Sequence, residues 1–219
     1  MELRGRIAAA CAQYGRDAND IAIVAISKKQ PPALIRMVVS HGIIDIGESR
    51  VQEAEEKIRD LGPIARYHLV GHLQSNKVRK AVELFDVIQS VDSLKLAQEI
   101  SRRAEELSRA VECYIQVNCS GEATKYGALP GEVLDLVRRV SQMPGIRLTG
   151  LMTIGPLTPD EEPVRRAFRL CRSLFVQGRD LVGSSFEHLS MGMSDDFPLA
   201  IAEGATTIRV GTAIFGARK

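Results

Sequence analysis

The chain has 219 residues, of which 45% are hydrophobic and 26% charged, and its formal net charge is +2. This length allows a globular domain with a substantial core, and the balance of charge and hydrophobicity argues against a disordered chain and against a dedicated nucleic-acid binder. Aromatic residues make up only 5% and tryptophan is absent, so surfaces that stack on nucleic-acid bases are hard to build. The composition favours a compact protein that handles a small molecule.

Short apolar runs alternate with longer amphipathic segments along the chain. The runs are rich in β-branched residues and apolar on both faces, which is typical of parallel strands covered on each side. They predict eight strands, over residues 21–27, 43–46, 67–70, 87–91, 111–117, 147–153, 186–189 and 207–210. The amphipathic pattern predicts helices over residues 1–13, 31–40, 50–61, 75–84, 93–108, 130–142, 161–178 and 197–202.

Eight strands that alternate with helices favour an α/β fold closed as a (β/α)8 TIM barrel. An open, doubly wound sheet is the alternative, but we would then expect a Gly-x-Gly-x-x-Gly turn after the first strand. The chain instead reads Ser27-Lys28-Lys29-Gln30 at that point. No linker, repeat or low-complexity segment divides the sequence, so we expect residues 1–219 to form one domain.

No apolar run approaches the roughly 20 residues that a membrane-spanning helix needs, so we expect no membrane association. The four cysteines, Cys11, Cys113, Cys119 and Cys171, are scattered and form no Cys-x-x-Cys pair. This pattern favours a reduced, cytoplasmic protein over a disulfide scaffold.

Functional residues of a barrel lie where the strands end, and the loops after strands seven and eight often bind phosphate. The first of these loops reads Ser190-Met191-Gly192-Met193-Ser194, and the second begins with Gly211-Thr212. Their small residues can bring hydroxyl and backbone N–H groups close to an anion. Each loop alone could be an ordinary turn, but their joint placement points to a phosphate site.

Lys28 follows an almost wholly apolar first strand. Burial lowers the pKa of an ammonium group and frees the amine to attack a carbonyl, although a lysine at a strand end can also extend into solvent. An amine facing a phosphate site suits a phosphorylated aldehyde, either pyridoxal 5'-phosphate or a sugar phosphate. Arg209 favours the first, because a cation there could face the pyridine nitrogen.

The chain resembles the pyridoxal-phosphate homeostasis proteins, which are similar to the barrel domain of alanine racemase standing alone. The matching segments are residues 25–28, 47–48, 51–53, 68–77, 90–92, 116–118, 122–127, 150–154, 189–195 and 209–216. The resemblance implies that Lys28 forms an aldimine with pyridoxal phosphate. It also implies cofactor contacts at Ser49, Ser190, Met191, Arg209, Gly211 and Thr212, with Arg209 beside the pyridine nitrogen. The family has Asn-Tyr where this chain has Ser49-Arg50, so the contact at Ser49 departs from the family pattern.

The resemblance predicts a protein that holds and exchanges pyridoxal phosphate without turnover, and an amino-acid racemase is the alternative. Racemisation needs an acid or base on each face of the bound amino acid, and the tyrosine that alanine racemase supplies comes from a further domain. Tyr126 is the one tyrosine that we place in a loop at a strand end. We expect a monomer, and pyridoxal-phosphate-dependent apo-enzymes are candidate recipients. His68 and His72 lack the spacing on one helix that a His-Glu-x-x-His zinc site requires, so a metal enzyme is disfavoured.

Overall fold

A computed structural model of the chain describes residues 2–122 and 124–216. Within these residues, eight parallel strands pair in sequence order, and the last pairs with the first to close a barrel. The strands are β1 Ala22–Ile26, β2 Asp45–Glu48, β3 Arg66–Leu69, β4 Val87–Val91, β5 Val111–Val117, β6 Ile146–Thr153, β7 His188–Ser190 and β8 Thr207–Val210. The prediction of a TIM barrel is confirmed.

Helices surround the barrel and cover its outer face. They are α1 Glu2–Gln13, α2 Pro32–Ser40, α3 Val51–Leu61, α4 Val78–Leu84, α5 Leu94–Glu106, α6 Val133–Val140, α7 Glu161–Val182, α8 Phe197–Ala202 and α9 Thr212–Phe215. Ser93 caps α5 by accepting a hydrogen bond from Leu96 N–H, and Asp160 caps α7 in the same way through Glu162 N–H. No helix in the described part of the chain is long and apolar enough to cross a membrane.

The main hydrophobic core lies between the strands and the helices, because both faces of the strands are buried and the outward face is apolar. β4 and β5 are buried along their whole length. The barrel interior is different in kind: a small apolar cluster of Val87, Tyr114 and Met152 lies there. The barrel interior also contains a chain of polar side chains that are joined by hydrogen bonds.

Several boundaries predicted from the sequence are wrong. The second strand, predicted over residues 43–46, is Asp45–Glu48. Two further errors involve Phe186. The helix predicted to end at Gly178 runs on to Val182, since Gly178 is a packing position: a Cβ there would lie 2.8 Å from the Phe186 ring. Phe186, predicted to begin the seventh strand, lies in a turn with its N–H donating to Gly183 O, and β7 starts at His188. Phe186 is apolar because it packs on α7, stacking against Phe175, rather than because it belongs to a strand.

The short helix α9 was not predicted, and the helices predicted from residues 75 and 130 begin as 3-10 turns, Ser75–Lys77 and Pro130–Glu132. Four residues are too few for a periodic pattern to appear in a sequence. Met1, the predicted first residue of the first helix, lies outside the described residues.

We expect Gly150→Ala to destabilise the barrel. Gly150 on β6 pairs with His188 on β7, and a Cβ at Gly150 would lie 2.0 Å from His188 O, which is backbone and cannot move aside cheaply. The free energy of unfolding in urea should fall by about 1–3 kcal/mol or more. The matched control is Gly5→Ala in α1, where nothing lies within 4 Å of the added carbon. It should raise the free energy of unfolding by about 0.5–1 kcal/mol, and equal effects of the two substitutions would contradict this account.

Candidate functional site

The closure of the barrel brings the ends of its first and last strands together. Ala25 on β1 pairs with Val210 on β8, so the residues that follow, Ile26 and Gly211, lie side by side. A Cβ at Gly211 would lie 3.4 Å from Ile26 O. Lys28 comes two residues after Ile26. The two elements that the sequence singled out, the lysine and the Gly211-Thr212 loop, therefore share one mouth of the barrel.

Lys28 lies in a tight turn that follows β1 directly. Gln30 N–H donates to Ser27 O over 2.9 Å, which closes a turn of four residues with Lys28 in its second position. Ser27 is fully buried and Lys28 is half-buried. The lysine is thus carried on backbone that is fixed by the strand on one side and by the turn on the other.

The loop after β7 reaches across to the loop after β8. Ser194 Oγ accepts hydrogen bonds from the backbone N–H groups of Gly211 and Ala213, each over 3.3 Å. Arg209 N–H donates to Gly192 O over 2.9 Å, which ties the loop after β7 to β8 itself. The result is a small set of hydroxyl and N–H groups at the start of α9, of the kind that binds an anion.

A chain of hydrogen bonds crosses the barrel interior and ends on Arg209. Arg209 Nη1 donates to Ser190 Oγ over 2.7 Å, and Ser190 Oγ donates to Gln89 Oε1 over 2.7 Å. Because Gln89 Oε1 accepts there, its amide nitrogen faces His68 Nδ1, 2.9 Å away. Nδ1 then acts as the acceptor, and His68 Nε2–H donates to Asp45 Oδ1 over 2.8 Å. Every bond points the same way, from the guanidinium cation to the carboxylate.

The surroundings disfavour the charged form at the arginine end of this chain and favour it at the aspartate end. Arg209 is 4% exposed, and burial lowers the pKa of its guanidinium to about 10, so it remains a cation at neutral pH. Burial alone would raise the pKa of Asp45, but the hydrogen bond from His68 and the nearby charge of Arg66 outweigh it, and the pKa is lowered. Arg209 Nη2 also donates to Thr153 O over 2.7 Å, which fixes the plane of the guanidinium.

The structure brings some of the predicted site residues together and leaves others apart. Arg209, Ser190, Gly211 and Thr212 lie on β7, β8 and the loop after β8, and Lys28 lies beside them through the β1–β8 pairing. Met191 follows Ser190, but its side chain is fully buried in the main hydrophobic core. No measurement tests these assignments, and they stay predictions.

Ser49 lies on another part of the barrel mouth. It lines a cavity of about 840 Å³ whose other lining residues include Arg50, His72, Lys77 and Tyr126. Tyr126 stacks on His72 with ring centroids 3.9 Å apart. Gly71 packs against the Ser49 backbone so closely that a Cβ at Gly71 would lie 2.1 Å from Ser49 O.

Sequence reasoning missed Gln89, which links the two halves of the interior chain. Gln89 on β4 bonds to Ser190 on β7 although these strands are not neighbours, so the contact has to cross the barrel interior. The available signal was a glutamine in the middle of the apolar run Val87–Val91. A polar side chain at the centre of a fully buried strand needs a partner, because an unpaired buried amide is costly.

We expect Gln89→Leu to lower the free energy of unfolding by about 1–3 kcal/mol, because it leaves the Ser190 hydroxyl proton and His68 Nδ1 buried without a partner. Gln98→Leu on the exposed face of α5 makes the same chemical change and is the matched control. It should stay within about 0.5 kcal/mol of the parent chain in the same urea titration. If both variants unfold at the same urea concentration as the parent, the interior chain contributes nothing measurable.

The fold and the site together define the class of the protein, a (β/α)8 barrel with a lysine-bearing turn and a buried arginine at one mouth. The profile of the family described as "Alanine racemase, N-terminal domain" matches residues 6–219. The chain belongs to this family. The resemblance inferred from the sequence motifs is confirmed.

Individual relatives refine this assignment. The chain is 39% identical to the "Pyridoxal phosphate homeostasis protein" of Pseudomonas aeruginosa, over 99% of this chain and 93% of that protein. The structure of PipY from Synechococcus elongatus PCC7942 with pyridoxal phosphate bound is 38% identical, with a TM-score of 0.82 over 96% of this chain and all of that one. An alanine racemase of Clostridium difficile shares the fold, with a TM-score of 0.78 at 15% identity over 57% of its own length.

Proposed function

We propose that the protein binds pyridoxal 5'-phosphate reversibly through a C=N bond to Lys28 and takes part in intracellular homeostasis of this cofactor, without turnover. The names of the relatives and the cofactor bound in PipY support the cofactor and the role. The observation that carries the proposal for this chain is the shared mouth of β1 and β8, which puts a lysine, an arginine and an anion-binding loop together.

The residues present at this mouth fit the cofactor. Gly211 leaves free the space that a side chain would fill next to Ile26 O. Ser194 Oγ, which accepts from the N–H groups of Gly211 and Ala213, has a hydroxyl proton to donate, which suits a phosphate. Arg209 supplies a cation whose position is fixed by its hydrogen bonds to Ser190 and Thr153. We assign the phosphate to this loop together with Thr212, and the pyridine nitrogen to Arg209. Ser190, the other predicted phosphate contact, gives its hydroxyl proton to Gln89 Oε1 and supports the site through Arg209.

When bound, pyridoxal phosphate supplies an aldehyde that exchanges between amines. The chain's own groups do the rest: the Lys28 amine attacks the aldehyde carbon and its two protons leave with the oxygen as water. Arg209 donates hydrogen bonds and accepts none, so its partner nitrogen in the pyridine ring stays unprotonated. An unprotonated ring withdraws electrons weakly, which suits binding and release better than bond cleavage at an amino acid.

The same geometry argues against an efficient racemase. Tyr126, the tyrosine considered as a second base, is exposed and stacks on His72 in the cavity that Ser49 lines. The curated relatives are named homeostasis proteins rather than racemases. We further propose that residues 1–219 act as one cytoplasmic domain and as a monomer, with pyridoxal-phosphate-dependent apo-enzymes as recipients.

We expect the purified protein with pyridoxal phosphate to show a visible absorption band, and Lys28→Ala to lose it. Borohydride should fix a phosphopyridoxyl group on Lys28, which peptide mass spectrometry locates. Lys29→Ala is the matched control, because Lys29 is the exposed neighbour in the same turn and its backbone N–H is kept. A label on Lys29 or Lys125 would overturn the assignment of Lys28, and racemisation of alanine at ordinary enzymatic rates would overturn the assignment as a non-enzyme.

We expect Gly211→Val to weaken binding of pyridoxal phosphate by at least about tenfold, the effect of losing roughly 1.4 kcal/mol. The branched side chain would fill the space beside Ile26 O and cover the N–H groups of the loop. Gly131→Val is the control, since nothing lies within 4 Å of a Cβ there. Calorimetric titration of the cofactor-free proteins measures both, and unchanged affinity of Gly211→Val would mean that the phosphate binds elsewhere.

A further inference from the structure

The turn that carries Lys28 contains a backbone conformation that its sequence does not favour. Lys29 has φ of +61°, in the left-handed region that glycine and asparagine adopt more readily than other residues. Lys29 occupies the third position of the turn Ser27–Gln30, closed by the bond from Gln30 N–H to Ser27 O. Something outside the turn has to hold a lysine in this conformation.

Two side chains of α3 contact the turn on either side of Lys28. Lys57 Nζ donates to Ser27 O over 2.6 Å, one residue before Lys28. Glu53 Oε1 accepts a short hydrogen bond from the backbone N–H of Lys29, one residue after it. Glu53 and Lys57 are four residues apart on one face of the helix and bond to each other over 2.7 Å. We call this pair the α3 clamp.

The α3 clamp is anchored to the barrel by a third side chain. Glu48, at the end of β2, accepts hydrogen bonds through Oε1 from Lys57 Nζ over 2.6 Å and from Ser27 Oγ over 2.5 Å. Glu48 is 1% exposed and its Oε2 is buried with no partner in the described residues. Burial raises the pKa of Glu48, whereas at Glu53 the hydrogen bonds from Lys57 and the Lys29 N–H outweigh burial and the pKa is lowered.

Stability alone explains this arrangement poorly. Buried ion pairs lose about as much to desolvation as they gain from attraction, and apolar residues of similar volume often serve as well. What a buried ion pair does provide is a fixed geometry, because its hydrogen bonds tolerate little displacement. The geometry that this one fixes is the backbone at Ser27 and at Lys29, the two neighbours of Lys28.

We propose that Glu53 and Lys57 are positioning residues for Lys28: by holding the turn at both neighbours, they direct its amine towards the loop after β8. The inference rests on the proposed function and deepens it. Reaction rates depend steeply on such placement, and a displacement of about 1 Å can slow a step on the order of a hundredfold. The α3 clamp therefore acts on formation of the bond to Lys28 and leaves the phosphate contacts unchanged, since those belong to the loops after β7 and β8, which the clamp does not contact.

The test separates covalent from non-covalent binding in Glu53→Ala. Rapid mixing with pyridoxal phosphate, followed by the visible absorption, gives the rate of bond formation. Titration with 4-deoxypyridoxine 5'-phosphate, which lacks the aldehyde, gives the non-covalent affinity. We expect the rate to fall at least tenfold while the affinity for the analogue stays within twofold. Glu53→Gln keeps an acceptor for the Lys29 N–H and should recover most of the rate.

Glu56→Ala is the control on the same helix. Glu56 is exposed, and its side chain makes no hydrogen bond or ion pair within the described residues. We avoid substituting Lys57, since its loss would leave the charge of Glu48 buried. If Glu53→Ala does not fold, Glu53→Asp shortens the same contact by one methylene group and should slow bond formation in the same direction.

The possible results are distinct. A normal rate in Glu53→Ala, or equal losses of rate and analogue affinity together with a lower unfolding temperature, would overturn the positioning role. Absence of any visible band in the parent chain would instead overturn the proposed function. Recovery by Glu53→Gln but not by Glu53→Asp would support the hydrogen bond to Lys29 as the contact that matters.

Discussion

The pairing of β1 with β8 is the contact on which the site depends. The two strands lie at opposite ends of the strand order, and only closure of the barrel makes them neighbours. Their register, Val24 with Arg209 and Ala25 with Val210, then decides which residues meet beyond the strand ends. A shift of one residue would turn Arg209 from the interior towards the helices, because side chains alternate along a strand. Both the position of the lysine-bearing turn and the direction of the arginine follow from this one register.

A second constraint is the charge of Arg209 inside the barrel. Burying a guanidinium without compensation is costly, and among the described residues no carboxylate touches it. The donor chain through Ser190, Gln89 and His68 connects it to Asp45 with every dipole aligned. Aligned hydrogen bonds strengthen one another in a medium of low dielectric constant. This accounts for a polar barrel interior where bulky aliphatic layers are usual.

The sequence predicted the parts of the structure that depend on local pattern. The apolar runs located all eight strands, with residues 87–91, 111–117 and 207–210 matching β4, β5 and β8. Errors arose where a residue's chemistry serves a distant contact, as with Gly178 and Phe186. At the site, the role of the residues after β1 and β8 could be predicted, because the functional residues of a barrel lie where its strands end. The partners of Gln89 and Lys57 could not be predicted, because they become neighbours only through closure of the barrel and helix packing.

On the proposed function, the two hydrogen-bond networks act on opposite ends of one ligand. The interior chain fixes the cation that faces the ring, and the α3 clamp fixes the turn that bears the amine. The interior chain lies inside the barrel and the α3 clamp lies against the turn after β1, whereas the phosphate loop follows β8. Under the proposed function, a ligand held by fixed side chains and by short loops needs no large rearrangement of the protein to leave, once its covalent bond exchanges to another amine. A carrier that must take up and release its cargo gains, under the proposed function, from this arrangement.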